Sequence, residues 1–117
     1  MLNQDAHLSP NVFATDIEKA PTRDGFGKGV VEAGKADPHV VVLCADLAES
    51  TRAQWFQETF PERFIELGVA EQNLATVASG MAHAGKIPFI ASYAIFSPGR
   101  NYEQIRTTIA LNKASVK

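Results

Sequence analysis

The run His-Val-Val-Val-Leu-Cys at 39–44 constrains this chain more than any other feature. It is apolar and largely β-branched, with no polar alternation, which is the pattern of a strand covered on both faces. Such a strand belongs to a parallel sheet, and parallel strands need helical crossovers packed on one face or the other. The sequence around the run supplies them. Upstream, Thr22 can cap a helix on which Phe26, Val30 and Ala33 recur at helical spacing, and Asp37-Pro38 ends it. Gly25, Gly27 and Gly29 weaken its first turns. Downstream, a polar loop at 45–51 precedes a short helix that carries Trp55 and Phe56 as far as Phe60, where Pro61 stops it.

The alternation continues. A second strand is expected over 62–67, a helix over 73–84 ended by Gly85, and a third strand over 87–92. Ser97-Pro98 has the form of an N-cap followed by proline at the first helical position. It would open a helix running through Tyr102, Ile105, Ile109 and Leu111 to about residue 112. Residues 114–117 read as the start of a fourth strand. The expected fold is therefore α/β, a parallel sheet with helices on both faces and right-handed crossovers. Residues 1–20, with Leu8, Val12, Phe13 and Ile17 scattered between prolines, read as an N-terminal arm packed over the domain, which occupies residues 21–117.

Composition narrows the class. A chain of 117 residues with 45% apolar and 21% charged residues fits one soluble globular domain. A net charge of −2 gives no electrostatic footprint for nucleic acid. The single cysteine, Cys44, excludes an internal disulfide, fills the core and fits a cytoplasmic setting. No apolar run reaches the roughly 18 residues of a membrane span, and the first residues lack a signal-peptide pattern. His7, His39 and His83 show no metal-ligand spacing, so no metal site is expected.

Ligands on open parallel sheets bind beyond the carboxyl ends of the strands. That edge collects Asp46 after the first strand, Glu71 after the second, and Tyr93 and Phe96 after the third. Glu71 also heads a stripe with Ala75, Ala78 and Ala82 at helical spacing. Small residues there permit close approach of another backbone, from tight internal packing or from a second subunit. Leu74, Val77 and Met81, on the neighbouring stripe, are expected to face the sheet. His83, late in the helix, reads as structural, and Arg100 and Arg106 read as surface charges.

Ala45-Asp46-Leu47, Phe60-Pro61-Glu62-Arg63-Phe64, Gly68-Val69-Ala70-Glu71-Gln72-Asn73 and Gly80-Met81-Ala82 stand in the order of a known family. Over roughly residues 20–117 the chain resembles the pyrimidine-binding domain of transketolase, in particular the start of the separately encoded C-terminal subunit of split transketolases. The resemblance implies the thiamine diphosphate-binding fold of pyrimidine-binding type and two-carbon ketol transfer between sugar phosphates. It implies that Glu71 drives the cofactor's aminopyrimidine to its imino tautomer, from a dry site where burial raises a carboxyl pKa. Phe96 is implied as the ring stacked on the pyrimidine, supported by Tyr93 and Tyr102. Asp46 would approach the thiazolium end, while Arg23 and Ser50 would donate to the phosphate of a sugar phosphate.

Nothing in the chain resembles the Gly-Asp-Gly…Asn motif with which the family holds magnesium and the diphosphate. The resemblance therefore implies a shared site, with Mg2+ held by a partner subunit bearing the diphosphate-binding domain, and dimerisation through the helix at 71–84. The domain is expected to be incomplete at its C-terminal end, and inactive without that partner. Two other readings stay open. One is a related thiamine enzyme, 1-deoxyxylulose-5-phosphate synthase or the beta subunit of a 2-oxoacid dehydrogenase. The other is a non-catalytic dimerisation module.

Overall fold

A computed structural model describes residues 9–117. The first helix, α1, spans Thr22–Ala36 and leads into the first strand, β1, Val40–Cys44. Two short helices follow, α2 at Ala48–Thr51 and α3 at Gln54–Thr59, then a 3₁₀ turn at Pro61–Arg63 and strand β2 at Phe64–Glu66. Helix α4, Glu71–His83, leads to strand β3, Ile87–Ala91. Last comes α5, Tyr102–Gln104, which widens into a π-helical stretch at Ile105–Ala110.

The three strands are parallel in the order β2-β1-β3, with Val42 opposite Phe64 on one side and Phe89 on the other. Every residue of β1 is buried. Val40, Val42 and Cys44 pack with Val30 of α1 and Phe56 of α3, while Val41 and Leu43 pack with Leu74 and Ala78 of α4. Alternate side chains of one strand thus serve two helical layers, which is why the run contains no polar position. The helices lie on both faces, as expected. Lys117 donates to the Pro88 carbonyl and accepts from the Ile90 amide, both at 2.9 Å, which is the bonding of a parallel pairing opposite Phe89. The expected fourth strand begins there.

Several local expectations are corrected. Thr22 does not cap α1. Pro21 holds the N-cap position without a side-chain bond, and Asp24 supplies negative charge to the first turn. Two glycines of α1 are a packing device: a Cβ on Gly27 would lie 2.5 Å from the Trp55 ring, and one on Gly34 2.6 Å from the Phe56 ring, whereas Gly25 and Gly29 face open space. The loop after β1 contains helix α2. The second strand is shorter than 62–67, because Arg63 turns its guanidinium to the carbonyls of Gly34 and Asp37 and lies 3.8 Å over the Phe60 ring. Arg63 thus belongs to the corner rather than to the ladder.

The helix after Ser97-Pro98 starts later than expected, since residues 93–100 are spent in successive turns in which the amides of Phe96 and Ser97 return to Tyr93 and that of Arg100 to Phe96. Helix α4 begins at Glu71 itself. Within the expected arm, Leu8 and the residues before it lie outside the described residues. Phe13 is 94% exposed and only Ile17 is partly covered, so the arm does not pack over the domain along 9–20.

Candidate functional site at the carboxyl edge of the sheet

Glu71 is the first residue of α4, where the helix dipole favours a carboxylate. The turn before it depends on Gly68, whose φ of 69° an L side chain adopts only with strain. Its side chain is 3% exposed yet borders an open cleft of about 530 Å3 lined by Val69, Gln72, Asn73 and Arg100. A carboxylate removed from water needs a compensating partner. Arg100 provides one: its Nη1 donates to Oε1 and to Oε2, both at 3.1 Å.

The same guanidinium lies 4.2 Å over the ring of Phe96, which is in turn near-parallel to Tyr93 at 6.3 Å. Glu71, Arg100, Phe96 and Tyr93 thus form a continuous row. Asn101, wholly buried, pins the row by donating to the Glu71 carbonyl at 3.0 Å and to Ser97 Oγ at 3.1 Å.

Tyr93 also borders a second cavity, of about 680 Å3, shared with Arg23, Ser50, Thr51 and Ser92. Arg23 and Ser50 come together here, joined by a 3.3 Å bond from Arg23 Nη1 to the Ser50 carbonyl. Ser92 Oγ is buried and has no hydrogen-bond partner among the described residues. Asp46 falls in a third hollow beside Glu49, Glu58 and Glu66. Its amide, in a left-handed conformation at φ 58°, donates to Glu66 Oε1 at 2.7 Å. Tyr102 stands 69% exposed at the start of α5.

The alanine stripe is resolved in favour of internal packing. Ala75 and Ala78 are fully buried in the chain, and Ser79 Oγ donates to the Thr108 carbonyl at 2.6 Å, tying α4 to the stretch after α5. Val77, expected to face the sheet, is 37% exposed. The outward face of α4 carries Gln72, Asn73, Thr76, Val77 and Gly80.

Burial pushes the Cys44 thiol up from its ordinary range, in keeping with a residue that fills the core. His83 Nδ1 lies 2.8 Å from the Ser79 carbonyl, which can only accept, a structural contact. Arg106 pairs with Glu103 at the surface at 3.0 Å. Among the described residues no cluster of three or more acidic, histidine or cysteine side chains could hold a metal, and no helix is long and apolar enough to cross a membrane.

Residues 18–117 match the family model for the transketolase pyrimidine-binding domain. The chain belongs to that family. A protein of Methanocaldococcus jannaschii named "Putative transketolase C-terminal section" is 46% identical over 95 residues, which cover 81% of this chain and 30% of that protein. The 1-deoxy-D-xylulose-5-phosphate synthase of Dictyoglomus turgidum is 36% identical over 121 residues, covering 97% of this chain and 19% of the synthase. A solved split-gene transketolase, described as an inactive beta4 tetramer, superposes with a TM-score of 0.73 at 48% identity over 81% of this chain and 32% of its own. The chain thus spans under a third of the relatives it matches.

Within a transketolase pyrimidine-binding domain the row from Glu71 to Tyr93 stands at the expected edge. Reading the sequence had missed Arg100, Asn101 and Ser92. Arg100 sits four residues after Phe96, a spacing that one helical turn would bring to the ring, and that was the available signal.

Proposed function

We propose that this chain is a component of a thiamine diphosphate-dependent transketolase and supplies the side of the site that holds the cofactor's aminopyrimidine. The observation that carries the reading is Glu71, a buried carboxylate facing an open cleft and linked through Arg100 to an aromatic ring. These residues fit a flat, basic heteroaromatic ring: an acid for its edge, Phe96 for its face, and Tyr93 beside Phe96. When bound, thiamine diphosphate supplies the carbon nucleophile of ketol transfer.

Glu71 holds or moves a proton at the ring nitrogen it meets, which requires a carboxylate shielded from water. Phe96 and Tyr93 orient the ring and exclude solvent, with Tyr102 as an outer support. Asp46 serves the thiazolium end. Arg23 and Ser50 bind the phosphate of a sugar phosphate in the larger cavity, where Arg23 is exposed and, among the described residues, engaged by one carbonyl.

The diphosphate and its Mg2+ are assigned to a partner subunit bearing the diphosphate-binding domain, a reading supported by the likeness to a split-gene transketolase. Dimerisation through helix 71–84 uses its outward face around Val77, because the alanine stripe is spent internally. A cytoplasmic setting within pentose phosphate metabolism fits a lone, buried thiol.

The test combines the chain with a subunit carrying the diphosphate-binding domain, thiamine diphosphate and magnesium, and follows ketol transfer. Activity that Glu71→Gln leaves untouched would remove Glu71 from the chemistry. A second reading, 1-deoxy-D-xylulose-5-phosphate synthesis, is favoured by the 36% identity over nearly the whole chain. Formation of that product by the same preparation, without ketol transfer, would establish it instead.

A further inference from the structure

We propose that Arg100 is a positioning residue: it fixes the Glu71 carboxylate relative to the Phe96 ring, so that the acid meets the edge of a base stacked on that ring. The inference rests on the reading of Glu71 and Phe96 given above. Among the described residues, the carboxylate accepts from no side chain other than Arg100, whose single Nη1 bridges both oxygens at 3.1 Å. An ionised carboxylate has about four acceptor sites, so this bridge leaves capacity on both oxygens for a ligand.

The guanidinium carbon stands 4.2 Å over the Phe96 centroid while Nη1 of the same group donates to the acid. A lysine ammonium is a point charge and cannot do both. The backbone reinforces the link, since the Arg100 amide donates to the Phe96 carbonyl at 2.8 Å and the next residue, Asn101, donates to the Glu71 carbonyl at 3.0 Å. The Arg100 side chain is 47% exposed, and its other donors point to no protein acceptor among the described residues. It is therefore held by Glu71 and Phe96 rather than by the core.

The test measures thiamine diphosphate affinity by calorimetry, in the assembled complex with magnesium, for the wild type, Arg100→Gln, Arg100→Lys, Glu71→Gln and the double variant. Arg100→Gln is expected to bind the cofactor about 10-fold more weakly, and Arg100→Lys about 3-fold. In the double variant, Arg100→Gln is expected to add less than about 2-fold to the Glu71→Gln loss, because the two residues act through one contact. The KM for the ketose phosphate is expected to stay unchanged, since Arg100 does not line the Arg23 cavity. A purely structural ion pair would lower the melting temperature without moving these ratios.

Cofactor binding that is unchanged or tighter in a folded Arg100→Gln complex overturns the proposal, as do losses that multiply in the double variant. Should Arg100→Gln fail to assemble, Arg100→Lys carries the test, and wild-type affinity in it overturns the planar link. If Glu71→Gln binds and turns over like the wild type, the reading of Glu71 falls instead. An impaired Glu71→Gln beside an unaffected Arg100→Gln removes only the role of Arg100.

Discussion

Two arginines stand at the carboxyl edge of the sheet and are committed very differently. Arg100 stands 4.2 Å over the Phe96 ring and bridges both oxygens of a carboxylate that is 3% exposed, whereas Arg23 gives one 3.3 Å bond to a carbonyl and borders a cavity of about 680 Å3. The difference follows from their neighbours. Glu71 begins a helix whose next turns are locked into the core by Leu74, Ala75 and Ala78, so its charge is desolvated and must be met from within. Arg23 lies in the first turn of α1, exposed at the surface, where a ligand anion can reach it without the desolvation that Glu71 imposes on its partner. An arginine held by a buried acid shapes a site; one left in solvent at a cavity rim is available to bind.

The sharpest way to break this contrast is Glu71→Gln in the assembled enzyme. The amide cannot exchange a proton, so turnover is expected to fall about 10²–10⁴-fold, measured by steady-state ketol transfer with KM for the sugar phosphate little changed. Arg23→Ala should do the opposite. Losing a charge-assisted bond to phosphate is expected to raise that KM about 10-fold or more while kcat holds, and a non-phosphorylated acceptor sugar should show no difference.

Phe96→Ala comes next, and removes the ring that Arg100 covers and against which the proposed base would stack. A loss of about 1 kcal/mol of aromatic packing beyond area corresponds to roughly 5-fold weaker cofactor binding in a titration. An effect on sugar-phosphate KM alone would instead tie Phe96 to the Arg23 side. Gly34→Ala is the control, since a methyl there collides with Phe56 and Phe60 away from both arginines. It should cost about 1–3 kcal/mol of stability by chemical denaturation, and leave both readouts unmoved once corrected for the folded fraction.

Much of this edge could be read from the chain because it depends on local pattern. The unbroken apolar run of β1 reports burial on both faces whatever the rest of the molecule does. The positions of Glu71, Tyr93 and Phe96 then follow from where strands end. Other features had no such signal. The alanines of α4 suit a neighbouring subunit and an internal helix equally well, and only the packing of Ala78 on β1 and the bond from Ser79 to Thr108 chose between them. Ser97-Pro98 has the composition of a helix start, but the hydrogen bonds back to Tyr93 keep that segment in turns until Tyr102. Gly27 looks like a helix weakness until Trp55 is seen to need its missing side chain.

By itself, the sequence determined a parallel α/β domain with an acid at the head of its second crossover, because strand burial and helix phase are written in residues a few positions apart. It did not determine what neutralises that acid. Arg100 lies 29 residues away and reads as a surface charge. Only folding brings it to Glu71, through a loop that lays its guanidinium on Phe96 and an asparagine that ties the loop to the helix. Charge pairing across such a separation depends on three-dimensional distance, and tertiary structure alone decides that distance.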